Sequence, residues 1–402
     1  MNPPTAPTAP TPHVAQIAEL RRRPRVRAAL AGYHQQLDDI LAQIVAIQQV
    51  AAPTFAEQQR AAAMAAHFRA AGAADVTQDG LHNVFARLPG RDPARPPLVV
   101  SAHLDTVFPA TTDLTTRRDG ALLYGPGIGD NSTGLAGLLV LARTLVDGAL
   151  PHDADIYLVA NVGEEGLGDL CGMRAVVERF GGRAVYVIVE GGLFGQLTHQ
   201  AVGVRRFRID VTAPGGHSWG GFGATSAIHV LGHLIAAIDR LDVPAAPKTT
   251  YNVGLIEGGT SINTIAHAAR LWLDLRSEGA AELERLVAQV MGLLEEMNEQ
   301  HAAAEDGVRL TATQVGNRPA GAIDRAAPVV ARAEAALRAV GCADVRYIVS
   351  STDANAPLSR GYEAVCLGLT QSGNSHRPDE YIDVTHLADG LGQLLLVVLA
   401  SA

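Results

Sequence analysis

The sequence predicts an α/β fold in which a mixed, largely parallel sheet has helices on both faces and is interrupted by an inserted α+β domain. Three short apolar runs predict buried strands, because parallel strands covered on both faces lose the polar alternation of exposed ones. These runs are Pro97–Ala102, Asp155–Val162 and Ala184–Val189. The chain from about 201 to 316 changes to alternating strands and reads β-α-β-β-α-β, the order of a ferredoxin-like domain.

The elements before and between these strands are mostly helical. Apolar periodicity from His13 to about Gly72 predicts two or three helices, interrupted by Pro24 and Pro53. Val76–Leu88 is typical of a strand, a turn and a second strand. The residues after Asn131 are apolar at helical spacing and predict a long helix.

The α/β pattern resumes after the inserted domain. A helix is expected from about Ile323 to Leu337, strands at Val345–Ser350 and Ala364–Leu369, and a final helix after Tyr381. We therefore expect a discontinuous first domain, 13–200 and 317–402, an inserted domain, 201–316, and a disordered tail, 1–12, rich in Pro, Ala and Thr.

Composition narrows the class of function. A chain of 402 residues with 48% apolar content is long enough for two domains, and its net charge of −9 argues against a nucleic-acid partner. No apolar run is expected to approach the roughly 18 to 20 residues of a membrane span. Three scattered cysteines form neither a ligand pair nor a disulfide framework, so we expect a cytoplasmic protein.

A glycine-rich stretch, Tyr124–Gly134, lies between a predicted strand and the long helix. Its glycines loosely resemble a phosphate cradle, but the stretch contains no Lys and has neither phosphate-binding spacing. Asp130, Asn131 and Ser132 are also good helix-capping residues. A third interpretation is a metal site, since Asp130 offers a carboxylate at the turn. The rest of the chain decides between these interpretations.

Polar residues follow several of the predicted strands. Parallel strands place such residues at one edge of the sheet, where α/β proteins have their sites. The candidates are His103 with Asp105, Asp130, Glu164-Glu165, Glu190 and His376.

Two imidazoles and three carboxylates suit two divalent cations such as zinc, cobalt or manganese. Asp130 is the candidate bridge between the ions, because one carboxylate can bind both. Asp105 is expected to accept the second N–H of the His103 imidazole. One glutamate of the pair 164–165 can bind metal while the other accepts a proton from water.

The motifs around these residues resemble those of the M20 peptidases, which are co-catalytic metallohydrolases including tripeptide aminopeptidases, glutamate carboxypeptidases and aminoacylases. The resemblance covers nearly the whole chain beyond about residue 40. It rests on Ser101–Val107, Gly125–Asn131, Gly163–Gly166 and Ser375–Tyr381.

The resemblance implies a role for each residue of the constellation. His103, Asp130 and Glu190 would hold one ion, and Asp130, Glu165 and His376 the other, with zinc the expected metal and cobalt or manganese alternatives. Glu164 would be the general base and Asp105 would support the site. A cis peptide bond is implied at Asp130-Asn131.

The inserted domain contains a competing motif. Gly216-His217-Ser218-Trp219-Gly220 fits the G-x-S-x-G pattern of a serine hydrolase, although an alternating strand and Pro214-Gly215 precede it. The M20 resemblance instead assigns His217 to stabilising the oxyanion in the partner subunit's active site. It also places Asn263, Arg276 and Asp353 at substrate-contacting positions.

The sequence therefore predicts a homodimeric, dinuclear metallohydrolase that cleaves amide bonds of short peptides as an exopeptidase and dimerises through its inserted lid domain. N-acyl amino acid deacylation on the same scaffold is the alternative. A non-catalytic metal-binding homologue and a serine hydrolase acting through Ser218 are further alternatives.

Overall fold

The computed structural model of the protein describes residues 11–402. The helices of this part are α1 Pro12–Arg22, α2 Pro24–Gln35, α3 Leu37–Gln48, α4 Gln58–Ala70, α5 Thr133–Asp147, α6 Cys171–Phe180, α7 Ala227–Ile238, α8 Ala280–Ala303, α9 Pro328–Ala339, α10 Asn355–Leu358 and α11 Leu387–Ser401. The strands are β1 Asp75–Gln78, β2 Val84–Leu88, β3 Leu98–His103, β4 Arg117–Asp119, β5 Leu122–Tyr124, β6 Ile156–Asn161, β7 Val185–Glu190, β8 Gln196–Ala201, β9 Gly203–Thr212, β10 Gly216–His217, β11 Thr249–Gly258, β12 Thr264–Ile265, β13 Ala268–Ser277, β14 Arg309–Arg318, β15 Gly321–Ala322, β16 Arg346–Ser350, β17 Ala364–Gly368, β18 Gln371–Gly373 and β19 Tyr381–Asp383.

The chain forms two compact units. The described part of the first comprises residues 11–200 and 322–402, and the second is Ala201–Gly321. The second unit extends past the predicted boundary at 316, because β14 pairs with β9 as far as Arg318 opposite Val204. Of the predicted tail, residues 1–10 lie outside the described residues. Pro12 already begins α1, whose first turn is capped by the Thr11 hydroxyl.

The first unit is built on a mixed sheet with a parallel centre, in the order β1-β2-β6-β3-β7-β17-β8. Strands β6, β3, β7 and β17 are parallel, whereas β2 and β8 join them antiparallel. Every residue of β3 and β17 is buried. Since successive side chains point to opposite faces, such strands need cover on both faces. The predicted α/β class is confirmed.

A small antiparallel sheet, β18-β19-β5-β4, lies in the same unit. Strand β5 leads into the glycine-rich stretch, and the strands β18 and β19 flank residues 374–380, which include His376. Tyr381 of β19 lies opposite Tyr124 of β5. The pairing therefore places the two loops next to each other.

The C-terminal helix belongs to the core of the first unit. By length and composition alone, Val384–Ser401 could cross a membrane, so the expectation that no run reaches that length is wrong. However, 72% of this segment is buried inside the protein, and α11 packs against α1, α2, α5 and α9. Its apolar character is that of a core helix.

The second unit is a four-stranded antiparallel sheet in the order β11-β13-β9-β14. Its core consists of one sheet face and the helices α7 and α8. This is the predicted β-α-β-β-α-β arrangement. Strand β11 is an edge, because within the described residues it pairs with β13 alone.

Candidate metal centre

Two groups of side chains in the first unit have the composition of metal sites, and both contain Asp130. In one group, the possible ligand atoms of His103, Asp130 and Glu190 lie within 4.8 Å of one another, and the same holds for Asp130, Glu165 and His376. His103 and Glu190 end the adjacent parallel strands β3 and β7, and Glu165 follows β6. The sheet therefore brings together residues that are far apart in sequence.

The Asp130 carboxylate lies between the two imidazoles. Its Oδ1 is 3.0 Å from His103 Nε2, and its Oδ2 is 3.2 Å from His376 Nε2. Glu190 Oε2 lies 3.7 Å from His103 Nε2, and Glu165 Oε1 lies 3.1 Å from His376 Nε2. Each carboxylate oxygen of Asp130 thus faces a different ligand group, as a bridging ligand requires.

The side chain of Asn131, the residue after Asp130, anchors the glycine-rich stretch. The Asp130-Asn131 peptide bond is cis, as the resemblance implied. Asn131 Nδ2 donates to the carbonyl of Val189, and its Oδ1 accepts from Gly134 N–H. The Asn131 side chain therefore caps the start of α5 in the first turn. Both the capping and the metal interpretations apply to this stretch, at neighbouring residues.

The candidate metal centre has an excess of acidic groups, with three carboxylates beside two imidazoles. The Asp130 and Glu165 carboxylates accept hydrogen bonds from the His376 imidazole and so raise its pKa to about 10. Burial raises the pKa of Glu190, an effect that His103 opposes. Burial also acts to raise the pKa of Asp130, but the hydrogen bonds with His103 and His376 outweigh it and lower that pKa. Such an environment attracts positive charge.

The residues present fit two divalent cations. The donors are imidazole nitrogens and carboxylate oxygens without a thiolate, the set that zinc and similar borderline ions accept. His103 Nδ1 lies 3.0 Å from the carbonyl oxygen of Asp105, to which its N–H can donate. With Nδ1 protonated in this way, Nε2 is the atom left to bind metal, and a cation would take the place of the Nε2 proton that Asp130 otherwise accepts.

Asp105 supports the centre differently from the prediction. Its carboxylate Oδ1 is 3.6 Å from His103 Nδ1, farther than its own carbonyl oxygen. Instead the carboxylate accepts backbone N–H groups of Glu164 and Glu165, both at 2.9 Å, and the Thr54 hydroxyl at 2.9 Å. One residue thus orients an imidazole through its backbone and the acidic pair through its side chain.

Five supporting residues were missed by the sequence analysis. Glu380 accepts backbone N–H groups of the glycine-rich stretch, and burial raises its pKa to about 7. The others lie between 48 and 60 and hydrogen-bond to loops of the centre: Gln48, Thr54, Glu57 and Arg60. Glu380 lies four residues after the predicted ligand His376, and this proximity could have identified it from the sequence. The other four lie in a helical pattern without any motif.

Asp353 is at odds with its predicted contact to substrate. The side chain is completely buried, and its Oδ2 accepts from Asn161 Nδ2 at 2.7 Å. Burial raises its pKa to about 7. Asn161 ends β6, so Asp353 lies next to that strand end, with none of its own surface exposed to a substrate.

The second unit carries the remaining predicted site residues. His217 is exposed on β10, which pairs with β12, and Ser218 N–H donates to the carbonyl of Asn263 at 3.0 Å. Arg276 is half-exposed on β13 and donates from Nε to Asp274 at 2.6 Å. His217 and Asn263 are therefore neighbours in one loop region of this unit.

The geometry around Ser218 excludes the nucleophile elbow. That motif joins a parallel strand directly to a helix. Here Gly216–His217 forms a two-residue antiparallel bridge with β12, and α7 begins only at Ala227. The serine-hydrolase alternative is wrong, because the backbone does not project Ser218 from a strand-to-helix turn.

The fold and the paired ligand groups define an α/β protein with an inserted antiparallel unit and a centre suited to two divalent cations. A profile of peptidase family M20/M25/M40 matches residues 99–400, most of the chain. The protein belongs to this family.

Individual relatives agree with this assignment. A peptidase M20 domain-containing protein of Schizosaccharomyces pombe is 28% identical over 218 residues, which cover 52% of this chain and 51% of that protein. A probable carboxypeptidase of Arthroderma otae is 29% identical over 213 residues, 46% of this chain and 44% of that protein. The matches thus span about half the length of these curated relatives.

A solved structure extends the likeness of fold to nearly the whole chain. The crystal structure of a tripeptidase from Staphylococcus aureus superimposes with a TM-score of 0.75 and 22% identity. It covers 90% of this chain and 98% of that one. At this identity the likeness establishes the fold.

Proposed function

We propose that the protein is a metal-dependent hydrolase that cleaves amide bonds of short peptides. The observation that carries the proposal is the Asp130 carboxylate, which has one oxygen toward each of two ligand groups beside the Glu164-Glu165 pair. His103, Asp130 and Glu190 would hold one ion, and Asp130, Glu165 and His376 the other. Zinc is the expected metal, with cobalt or manganese as alternatives.

Two bound cations would supply a Lewis acid for the amide carbonyl and acidify a water molecule. The chain's own task is then proton transfer. Glu164 is buried next to the ligand Glu165, and its backbone N–H is fixed by Asp105 Oδ1 at 2.9 Å. In our proposal the Glu164 carboxylate accepts the proton of the attacking water and delivers it to the leaving amine.

His217 has the hydrogen-bonding state needed to stabilise an oxyanion. Its Nδ1 lies 3.2 Å from Trp219 N and 3.3 Å from Gly220 N, so it accepts from these N–H groups. A neutral imidazole that accepts at Nδ1 carries its proton on Nε2. That N–H can donate to a developing negative charge. We propose that His217 acts on the partner subunit's substrate.

A homodimer is supported by the exposed edge of the second unit. Strand β11 carries Leu255 and Ile256, which are 62% and 57% exposed. Long edge strands with exposed apolar residues are normally covered by another segment or chain, because their unpaired N–H and C=O groups can hydrogen-bond to a further strand. We infer that a second copy covers this edge.

The substrate is proposed to carry a free carboxylate or amino group close to the scissile bond. The Arg276 guanidinium suits a carboxylate, and Asn263 offers an exposed amide. N-acyl amino acids present the same carboxylate, so deacylation is the second candidate.

The three free cysteines favour the reducing cytoplasm as the place of action.

A hydrolysis screen tests the function. Protein stripped with a chelator and reloaded with zinc, cobalt or manganese would be given di- and tripeptides blocked at either end, and N-acyl amino acids. We expect metal-dependent cleavage, with a required free amino terminus indicating an aminopeptidase and a required carboxylate indicating a carboxypeptidase or deacylase. Metal binding without cleavage of any substrate would refute the proposal and leave a non-catalytic metal-binding homologue.

A further inference from the structure

The glycine-rich stretch does form a cradle of backbone N–H groups, but the group it holds is the carboxyl group of a side chain, Glu380. Glu380 Oε2 accepts Gly127 N–H at 3.1 Å, and Oε1 accepts the N–H groups of Gly129 and Asp130, both at 2.8 Å. Converging backbone N–H groups form such anion-binding concavities. The Glu380 side chain is 0% exposed, so water does not compete for these bonds.

The same residue also fastens the loop that carries His376. The backbone carbonyl of Glu380 accepts Gly125 N–H at 2.8 Å, and its own N–H donates to the carbonyl of Arg377 at 3.0 Å. The next residue, Tyr381, lies opposite Tyr124 in the small sheet. Glu380 therefore links the loop of one candidate ligand to the loop of another.

The cradle has no spare room. A Cβ on Gly129 would lie 3.0 Å from Ser372 Cβ, 3.1 Å from Glu380 Oε1 and 3.3 Å from Ile382. Contacts this short require the neighbours to move. The position of the Glu380 carboxylate is thus fixed by packing as well as by hydrogen bonds.

We propose that Glu380 is a positioning residue that orients the Asp130 carboxylate and so sets the affinity of both cation sites. The argument is geometric: Glu380 holds the backbone N–H of Asp130 itself, and the Asp130 carboxylate has one oxygen toward each ligand group. A shift of Asp130 therefore moves one ligand oxygen of each cation site at the same time. The inference rests on the two cation sites of the proposed function.

The test compares Glu380→Gln with Glu363→Gln. The first substitution would place a donor NH₂ group where Oε1 or Oε2 now accepts N–H groups, and so disturb the cradle. Glu363 is a matched control, because its carboxylate also accepts a backbone N–H, that of Val329 at 2.8 Å, away from the centre. Zinc affinity would be measured by chelator competition, the number of ions by metal analysis, and ligand geometry by the visible absorption spectrum of the cobalt form.

We expect Glu380→Gln to weaken zinc binding at both sites about 10–100-fold and to change the cobalt spectrum. Glu363→Gln should bind as the wild type does. A folded Glu380→Gln variant with wild-type affinity and spectrum would overturn the proposal. If that variant does not fold, Glu380→Asp is tested in its place, because it keeps the carboxylate but moves it away from the N–H groups. Glu380→Asp should show the same loss of zinc affinity at both sites. Wild-type zinc affinity in Glu380→Asp would equally overturn the inference.

The outcomes separate this inference from the proposed function. Wild-type protein that binds two ions but cleaves nothing refutes the function and leaves the role of Glu380 measurable. A Glu380→Gln variant that binds zinc as tightly as the wild type refutes the role of Glu380 and leaves the proposed peptide hydrolysis untouched.

Discussion

At the residue scale, Asp105 shows how one side chain organises several others. Its carbonyl oxygen orients His103, and its carboxylate holds the backbone N–H groups of Glu164 and Glu165. Buried carboxylates are stable when enough donors satisfy them. The candidate base and the adjacent candidate ligand are therefore fixed by the same residue that orients a ligand on the neighbouring strand.

Glu164 and Glu165 should be separable by mutation. Glu164→Ala and the isosteric Glu164→Gln remove the proposed base and leave every ligand, so hydrolysis should fall about 10²–10⁴-fold with both ions retained. Glu165→Gln removes a ligand charge, so it should weaken metal binding instead. Steady-state kinetics and metal analysis on the same preparations check this. An active Glu164→Ala variant would contradict the assigned base.

At the element scale, a short segment ahead of the residues matched by the family profile supports the centre. This segment, Gln48–Arg60, contacts three loops: Gln48 Nε2 donates to the carbonyl of Pro126, Arg60 to that of Leu104, and Glu57 Oε1 accepts Gly163 N–H. Gln48, Glu57 and Arg60 are buried. The segment therefore acts as a brace across loops that carry candidate ligands.

Removing the hydrogen bond between Glu57 and Gly163 should lower the free energy of unfolding. Glu57→Ala leaves the buried N–H of Gly163 without its acceptor, so the free energy of unfolding should fall by about 1–3 kcal/mol. Glu57→Gln keeps an acceptor oxygen and should lose less. Urea unfolding measures both, with Gln58→Ala on the exposed side of α4 as the control. Equal stability of all three variants would show that the contact contributes nothing.

At the scale of the whole molecule, activity should depend on the oligomeric state. The double variant Leu255→Arg/Ile256→Arg places two charges on the exposed edge of β11, where burial against a second copy would be costly. We expect monomers by light scattering and loss of hydrolysis with both ions retained. Val146→Arg, at an apolar position in the first unit that is 39% exposed, should remain dimeric and active.

Mixing variants provides the complementary measurement. His217→Ala should reduce hydrolysis about 10²–10³-fold as the loss of one oxyanion donor. Mixed dimers of His217→Ala with Asp130→Ala contain an intact centre facing an intact partner His217, so part of the activity should return. Absence of any recovery in verified mixed dimers would count against action across the subunit interface.

The sequence by itself determined the fold class and the set of candidate ligands. Buried parallel strands are continuously apolar, and their polar ends meet at one edge. His103, Glu165 and Glu190 could therefore be placed near each other from strand positions alone. The start of the inserted unit followed from a change in periodicity, because an exposed antiparallel sheet alternates and a buried parallel one does not.

Only the tertiary structure decided which groups support those ligands. Hydrogen bonds between distant loops leave no periodic trace in a sequence, so the brace of Gln48–Arg60 and the burial of Asp353 could not be foreseen. The glycine-rich stretch is the clearest case. Its glycines only loosely resemble a phosphate cradle, and the group that its backbone N–H groups hold is the Glu380 side chain, which lies 250 residues after Asp130 and is brought there by strand pairing.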